Sequence, residues 1–213
     1  MRIPIHKEGF PMAGFFFAAA YFSNKFSKAL SRILCALGLF TLYFFRDPER
    51  EIPADERAIV SPADGKILDV GVVEHAPFID GPAKKISIFL SVFNIHINRI
   101  PYSGKVTYRQ YKPGKFYVAS EEKASDLNEQ SSLGIETESG SKILVKQIAG
   151  LIARRVLCWK VPGDWVTKGE RFGLIRFGSR TELYLPMDAE VKVKPGDIVK
   201  GASSVIALAA PKQ

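Results

Sequence analysis

Residues 58–73 read AIVSPADGKILDVGVV, in which two runs of apolar and β-branched residues flank the turn sequence SPADG (61–65). The same alternation of short apolar runs with Gly and Pro continues in KKISIFLSVFNIHINRI (84–100), GKVTYRQY (104–111), GSKILVKQIAG (140–150), GERFGLIRFGS (169–179) and AEVKVKPGDIV (189–199). Short strands bounded by turn residues are typical of an all-β barrel or sandwich. We expect little helix in this region, apart from a short one around residues 148–159.

Two segments of this region repeat one pattern. PGDWVTKG (162–169) and PGDIVKG (195–201) each give a Pro-Gly turn, a short apolar strand and a further Gly. Tight hairpins in any β protein reuse such turn chemistry. The pattern also resembles the hairpins of lipoyl and biotinyl domains, and this likeness favours a mainly β, barrel-sandwich-hybrid-like domain with minor helix.

The first fifth of the chain differs in composition. Uncharged runs of 13 residues at 10–22 and 33–45 flank a basic break at 23–32. Thirteen helical residues extend about 20 Å, less than the hydrocarbon core of a bilayer at about 30 Å. We expect residues 1–45 to form a membrane-associating apolar helical hairpin and residues 46–213 to form the β domain. The alternatives are a hairpin in one leaflet, a pair of strained short spans, a buried hairpin and a cleaved signal peptide.

The composition of the whole chain excludes several classes of protein. A length of 213 residues with 46% hydrophobic content supports one sizeable core and excludes a disordered chain. Two Cys and three His without clustered spacing predict neither a disulfide framework nor a metal site. The net charge of +8 is compatible with nucleic acid, an anionic bilayer or acidic substrates. Because basic residues accompany the apolar N-terminal runs, the membrane surface is favoured over nucleic acid.

Three positions could carry chemistry. His96 lies where one face of a strand predicted over 85–99 turns from apolar to polar, which fits a strand emerging into water or a pocket histidine suited to proton transfer. Asp64 lies in an Asp-Gly turn, which is ordinary hairpin chemistry, although an Asp there can also orient a nearby His or Ser. Gly178-Ser179 follows an apolar strand and is either a simple turn or a place where glycine holds a strained backbone.

Several segments, in order along the chain, resemble one enzyme family. They are FFRDP (44–48), SPADG (61–65), FLS (89–91) through NRIP (98–101), QIAG (147–150) with ARR (153–155), and GLIRFGSR (173–180). Together they resemble the phosphatidylserine decarboxylase proenzymes, and in particular their short, archaeal-type branch. Members of that family are pyruvoyl-dependent.

The resemblance implies that the chain cuts itself between Gly178 and Ser179. The resulting β chain (1–178) and α chain (179–213) would stay together as a heterodimer, with a higher oligomer possible. Ser179 would become a covalent pyruvoyl cofactor, which forms a Schiff base with phosphatidylserine and yields phosphatidylethanolamine. The implied catalytic residues are Ser179, Gly178, His96 and Asp64, without a metal. The implied location is the cytoplasmic face of the cell membrane, as a peripheral or monotopic protein.

Two departures from the family pattern matter. FGSR stands at 177–180, where longer members have Leu-Gly-Ser-Thr, and Arg99 stands where they have a second histidine that is assigned to self-cleavage. Arginine is a poor general base because it stays protonated. Two alternatives follow, in which His96 serves both self-cleavage and decarboxylation or Asp64 acts more directly.

The main competing interpretation is a membrane-tethered, lipoyl-like binding module without enzymatic activity. It predicts a lysine at a hairpin tip, and Met187 has no lysine beside it. A metallopeptidase is disfavoured by the few histidines, and nucleic-acid binding is supported by net charge alone. For the carboxylate and phosphate of a lipid substrate, charge alone suggests four candidates, namely Arg154, Arg155, Arg176 and Arg180.

Overall fold

The computed structural model describes residues 3–117, 124–150, 155–176 and 178–211. The chain divides into two compact units, residues 1–49 and 50–213. The first contains two helices, and the second consists mainly of strands. The predicted mainly β fold with an N-terminal helical hairpin is therefore confirmed.

The N-terminal unit is a pair of helices, α1 (Gly9–Ser23) and α2 (Lys28–Phe44). The Ser31 hydroxyl of α2 donates a hydrogen bond of 2.9 Å to the Ala20 carbonyl of α1, which ties the two helices together. Within the described residues, neither helix combines the length and the apolarity needed to cross a bilayer. Large apolar side chains are nevertheless exposed along both helices and at Phe26 in the connection between them; those on the helices include Phe10, Phe15, Tyr21, Phe22, Leu30, Ile33 and Leu39.

The second unit is built from short strands, all paired antiparallel. The strands are β1 (Ala58–Val60), β2 (Gly65–Ala76), β3 (Gly81–Leu90), β4 (Ile97–Arg99), β5 (Gly104–Lys112), β6 (Gln130–Glu136), β7 (Lys142–Ile148), β8 (Val156–Cys158), β9 (Trp165–Val166), β10 (Arg171–Ile175), β11 (Ser179–Leu185), β12 (Glu190–Val191), β13 (Ile198–Val199) and β14 (Val205–Leu208). One short helix, α3 (Ala124–Leu127), precedes β6.

These strands form three sheets. The largest is a curled half-barrel of eight strands in the order β13-β2-β3-β11-β7-β6-β5-β9. Two three-stranded sheets, β4-β10-β8 and β1-β14-β12, accompany it. Apolar side chains from all three sheets form one core, among them Ile59, Ile67, Ile88, Leu133, Phe172, Leu183 and Ile206. Burying this apolar surface supplies the main driving force for folding.

The repeated Pro-Gly-Asp pattern corresponds to a repeated structure. Val106 in β5 exchanges two backbone hydrogen bonds of 2.8 Å with the turn at 162–164. Ile67 in β2 exchanges two equivalent bonds, of 2.8 and 2.9 Å, with the turn at 195–197. The short strand after each turn then pairs with the first residues of the same partner strand. The sequence repeat therefore marks two equivalent hairpin contacts, one at each end of the strand order of the eight-stranded sheet.

The prediction of a single strand over 85–99 is wrong. β3 ends at Leu90, and β4 begins at Ile97 in a different sheet. Between them the chain turns, because the Asn94 side-chain oxygen accepts hydrogen bonds from both the backbone N–H and the hydroxyl of Ser91, at 2.8 and 2.9 Å. Asparagine commonly stabilises turns in this way. The sequence did not predict this turn because apolar residues continue to alternate through the segment.

The short helix expected around 148–159 is also contradicted where the structure describes the chain. Ile148 is the last residue of β7, and Val156–Cys158 forms β8, which pairs with β10. Residues 151–154 lie outside the described part of the chain. The β-branched Val156 is buried at this position, and its strand packs as the edge of the small sheet.

Candidate active site

Two connections of the chain, from β3 to β4 and from β10 to β11, join the same two sheets. Ser179, the first residue of β11, lies opposite Leu90, the last residue of β3. On the small sheet, the Ile175 N–H at the end of β10 donates to the His96 carbonyl, just before β4, at 3.2 Å. The two connections are therefore next to each other where they leave each of the two sheets. The backbone of His96 is thereby hydrogen-bonded to Ile175, four residues before Ser179.

The junction itself has an unusual local structure. Ser179 is 0% exposed, and its hydroxyl has no hydrogen-bond partner among the residues that the structure describes. Most buried polar groups in proteins are hydrogen-bonded, so each exception calls for a physical reason. Gly178 has a φ of +57°, in the left-handed region, while a Cβ there would meet nothing within 4 Å. Glycine is thus favoured by backbone conformation, not by lack of space.

His96 is completely buried, and its hydrogen bonding fixes its tautomer. Its Nδ1 lies 3.0 Å from the Asn94 carbonyl oxygen. Because a carbonyl can only accept, Nδ1 must carry the hydrogen. In the neutral ring, Nε2 is then the nitrogen with the lone pair, the form that a general base requires.

Asp64 is fixed by an ion pair. Arg50 Nη2 donates to both carboxylate oxygens, at 2.9 and 2.7 Å, and the Gly201 N–H donates to Oδ1 at 2.8 Å. The Asp64 turn is also attached to β4, because the Pro62 carbonyl accepts a hydrogen bond of 2.9 Å from the Arg99 N–H. The structure thus connects the Asp64 turn to the strand that follows His96, while the carboxylate itself binds Arg50.

Arg99 has a different environment from its neighbour Asn98. Its Nη1 donates to the Gly169 carbonyl at 3.3 Å, and the side chain is buried. The Asn98 side chain instead donates to the Thr181 hydroxyl of β11 at 3.3 Å. Since consecutive strand residues point to opposite faces, Arg99 is directed away from the face of β4 that contacts β11.

Sequence reasoning missed a buried polar layer beside Ser179. Besides the Asn98–Thr181 bond, Gln147 Nε2 donates to Asn98 Oδ1 at 2.8 Å. Gln147 and Thr181 are cross-strand partners, and Thr181 shares the sheet face of Ser179. Gly173 leaves room for this amide, because a Cβ there would lie 2.5 Å from Gln147 Nε2. The sequence did offer one signal for this layer: Asn98 and Gln147 are polar residues that each lie within an apolar run.

A second polar cluster lies on the opposite face of β11. Arg180 Nη1 donates to the Ser125 hydroxyl at 2.6 Å, and this hydroxyl donates to Glu182 Oε1 at 2.6 Å. The Tyr184 hydroxyl donates to Glu182 Oε2 at 2.7 Å, and Lys146 Nζ lies 3.8 Å from the same oxygen. We call these five residues the β11 clamp.

The clamp keeps its carboxylate charged. Burial alone raises the pKa of Glu182, since it disfavours the ionised form. The hydrogen bond from Ser125, the charge of Lys146 and the hydrogen bond from Tyr184 outweigh burial, so the pKa of Glu182 is lowered. Glu182 is therefore a buried anion surrounded by donors and positive charge.

The four candidate arginines have different positions. Arg180 belongs to the β11 clamp and is 5% exposed. Arg155 is exposed, and its carbonyl accepts a hydrogen bond of 3.3 Å from the Arg176 N–H, in the segment that leads to Gly178. Arg154 lies outside the described residues.

Comparison with known proteins identifies the family. Residues 37–207 match the family model described as phosphatidylserine decarboxylase. The chain is 49% identical over 207 residues to the phosphatidylserine decarboxylase proenzyme of Symbiobacterium thermophilum, covering 97% of this chain and 96% of the relative. It is 46% identical over 209 residues to the proenzyme of the same name from Desulfotalea psychrophila, covering 96% of each.

These matches extend over nearly the whole chain and include every segment in which the resemblance was found. They decide for an enzyme over the non-enzymatic, lipoyl-like module that the Pro-Gly-Asp hairpins also suggested. The chain belongs to the phosphatidylserine decarboxylase family.

Proposed function

We propose that the chain cuts its own backbone between Gly178 and Ser179 and uses a pyruvoyl group formed at position 179 to convert phosphatidylserine to phosphatidylethanolamine. The observation that carries this proposal is the fully buried Ser179 hydroxyl, which has no hydrogen-bond partner among the described residues and directly follows a glycine with a φ of +57°. A hydroxyl free of competing hydrogen bonds is available to attack the carbonyl before it.

The cut proceeds in steps that the local chemistry supports. Ser179 Oγ loses its proton to a base and attacks the Gly178 carbonyl carbon, and breakage of the C–N bond leaves an ester and a free amine. Gly178 has no side chain to hinder this attack. Loss of the Ser179 α-proton then expels the Gly178 carboxylate and leaves dehydroalanine. Its imine tautomer reacts with water, which releases ammonia and leaves the ketone.

His96 is the base that we assign to this reaction. Its Nε2 is the proton-accepting atom of the neutral ring, and its backbone is hydrogen-bonded to Ile175, three residues before Gly178. Asp64 is assigned a positioning role, because its carboxylate already binds Arg50 and the Gly201 N–H. Of the two alternatives left by the sequence, we therefore propose that His96 serves both steps.

The site fits the group proposed for it. Position 179 is buried and is the first residue of β11, a place in a strand where a residue without an N–H is tolerated. The Asn98 amide and the Thr181 hydroxyl provide polar neighbours on the same side. When formed, a pyruvoyl ketone binds the substrate amine and withdraws the electrons released with CO₂. We assign to His96 Nε2 the return of a proton to the substrate carbon.

The remaining parts of the proposal concern assembly and location. Residues 1–178 and 179–213 stay together because β11 is paired on both sides, with β3 and with β7. The exposed apolar side chains of α1 and α2 support attachment of the enzyme to the cytoplasmic face of a membrane, where phosphatidylserine lies.

Denaturing mass spectrometry of the purified protein tests the proposal. The wild type should give two chains, 1–178 and 179–213, the second beginning with a pyruvoyl group, whereas Ser179→Ala should remain one chain of 23.6 kDa. Ser141→Ala is the matched control: Ser141 also follows a glycine of positive φ, at +80°, but lies in a turn where its N–H and hydroxyl are hydrogen-bonded. That variant should be cut like the wild type. An uncut wild type, or a Ser179→Ala chain that is cut, would refute the proposal.

A further inference from the structure

We infer that Ser125 is a positioning residue that holds the start of β11 in place after the cut. This inference rests on the proposed self-cleavage and deepens it. It concerns the β11 clamp, which lies on the sheet face opposite to Ser179.

One hydroxyl links the two charged side chains of the clamp. Ser125 Oγ accepts from Arg180 Nη1 and donates to Glu182 Oε1, both at 2.6 Å, while those two charged groups lie 3.6 Å apart. Arg180 is 5% exposed and Glu182 is 0% exposed. Hydrogen bonds to charged groups are stronger than those between neutral groups, so this hydroxyl is well placed to fix both side chains.

The clamp crosses the proposed cut. Ser125 and Lys146 lie before it, whereas Arg180, Glu182 and Tyr184 lie after it. Once the bond at 178/179 is broken, the clamp becomes a contact between two chains. It joins them within one to five residues of the new chain end.

A newly cut strand needs such a contact. The first residues of a chain fray unless they are tied down, and the cut removes the covalent tether at position 179. Backbone pairing of β11 with its neighbours remains. Withdrawing Arg180 from the clamp would leave the Glu182 carboxylate buried with fewer partners, which is unfavourable. The clamp therefore opposes fraying and keeps position 179 in its place at the start of β11.

The experiment uses the full chain and compares Ser125→Ala with Ser125→Thr, which keeps a hydroxyl, and with Ser139→Ala in an exposed turn. In Ser125→Ala, self-cleavage should proceed within about two-fold of the wild-type rate. Hydrogen exchange at residues 180–182 should be about ten-fold faster and kcat about ten-fold lower, with KM within about two-fold, as expected for loss of a hydrogen bond to charged groups. Ser125→Thr should have the exchange rates and kcat of the wild type, and Ser139→Ala should change neither quantity.

The uncut Ser179→Ala background provides a second readout. There the covalent tether remains, so adding Ser125→Ala should leave exchange at residues 180–182 unchanged. If cut Ser125→Ala has the exchange rates and kcat of the wild type, the positioning role of Ser125 is overturned and the proposed function is not affected. Loss of self-cleavage in Ser125→Ala would also overturn it, since the hydroxyl would then act before the cut. A wild type that is never cut would instead overturn the proposed function and the clamp with it.

Discussion

Ser179 lies directly opposite Leu90 in the ladder between β11 and β3. This pairing determines the geometry of the site, because the segment that carries His96 begins one residue after Leu90. The segment that carries Gly178 ends at Ser179. His96 and Ser179 are far apart in the sequence, but the connections that contain them therefore meet at the same pair of neighbouring strands.

The first prediction concerns the general base. His96→Gln should slow self-cleavage by at least about 100-fold, because a positioned base contributes about 10²–10⁴-fold to a proton transfer. The rate is measured from the fraction of intact chain on denaturing gels after synthesis. His75→Gln is the control, since His75 is exposed on β2 and should be cut at the wild-type rate. Equal rates in the two variants would mean that the base lies elsewhere.

The second prediction concerns Asp64. If it acts by positioning its turn, Asp64→Asn and Arg50→Gln should slow self-cleavage to a similar extent, because each breaks the same ion pair. Each should also lower the free energy of unfolding in urea by about 1–3 kcal/mol, because each leaves one member of a partly buried ion pair without its hydrogen bonds. A cut that is abolished in Asp64→Asn and normal in Arg50→Gln would show that the carboxylate itself is the base.

Much of this fold could be predicted from local patterns. Alternating apolar runs and Pro-Gly-Asp turns predict a β domain because each reflects nearby residues only. The break between β3 and β4 could not be predicted in this way, since it depends on the Asn94 side chain bonding back to Ser91. Even so, the pattern had indicated His96 as a residue at a change of environment, and the structure buries it there.

The polar residues around Ser179 were harder to predict. The bond from Gln147 to Asn98 joins residues of different sheets, so no spacing in the sequence reports it. Ser125 is still less visible, because its two partners, Arg180 and Glu182, come from a strand 55 and 57 residues further along the chain. Such contacts arise from the tertiary fold and have no local signature.

The third prediction concerns the helical hairpin. Deleting residues 1–45 should lower the decarboxylation rate on phosphatidylserine bilayers about ten-fold or more, since it removes the exposed apolar side chains that would bind the membrane, of which Phe26 is 90% exposed. Activity on dispersed short-chain phosphatidylserine should stay within about two-fold of the full chain, because that substrate needs no docking. An equal loss on both substrates would contradict a role in membrane attachment.

The fourth prediction is a pH dependence of stability that originates at Glu182. Its pKa is lowered in the folded protein from an ordinary value of 4.5. A carboxylate with a depressed folded pKa stabilises the fold above its unfolded pKa, and this stabilisation is lost as the pH falls through the folded pKa. The Glu182 contribution should therefore be complete at neutral pH and should decline below about pH 4.5.

Urea unfolding of Glu182→Gln in the uncut Ser179→Ala background measures this contribution, because a single chain keeps unfolding close to two-state. At about pH 7 the variant should be less stable by about 3–5 kcal/mol, as expected when one partner of a buried ion pair is removed. The difference should shrink as the pH falls below about 4.5, because the unfolded wild-type carboxyl then binds a proton and the advantage of the folded, ionised form declines. Glu138→Gln, which alters an exposed carboxylate, should show little difference over this pH range. A Glu182→Gln deficit that stays constant with pH would mean that shape, not charge, accounts for the effect of this residue.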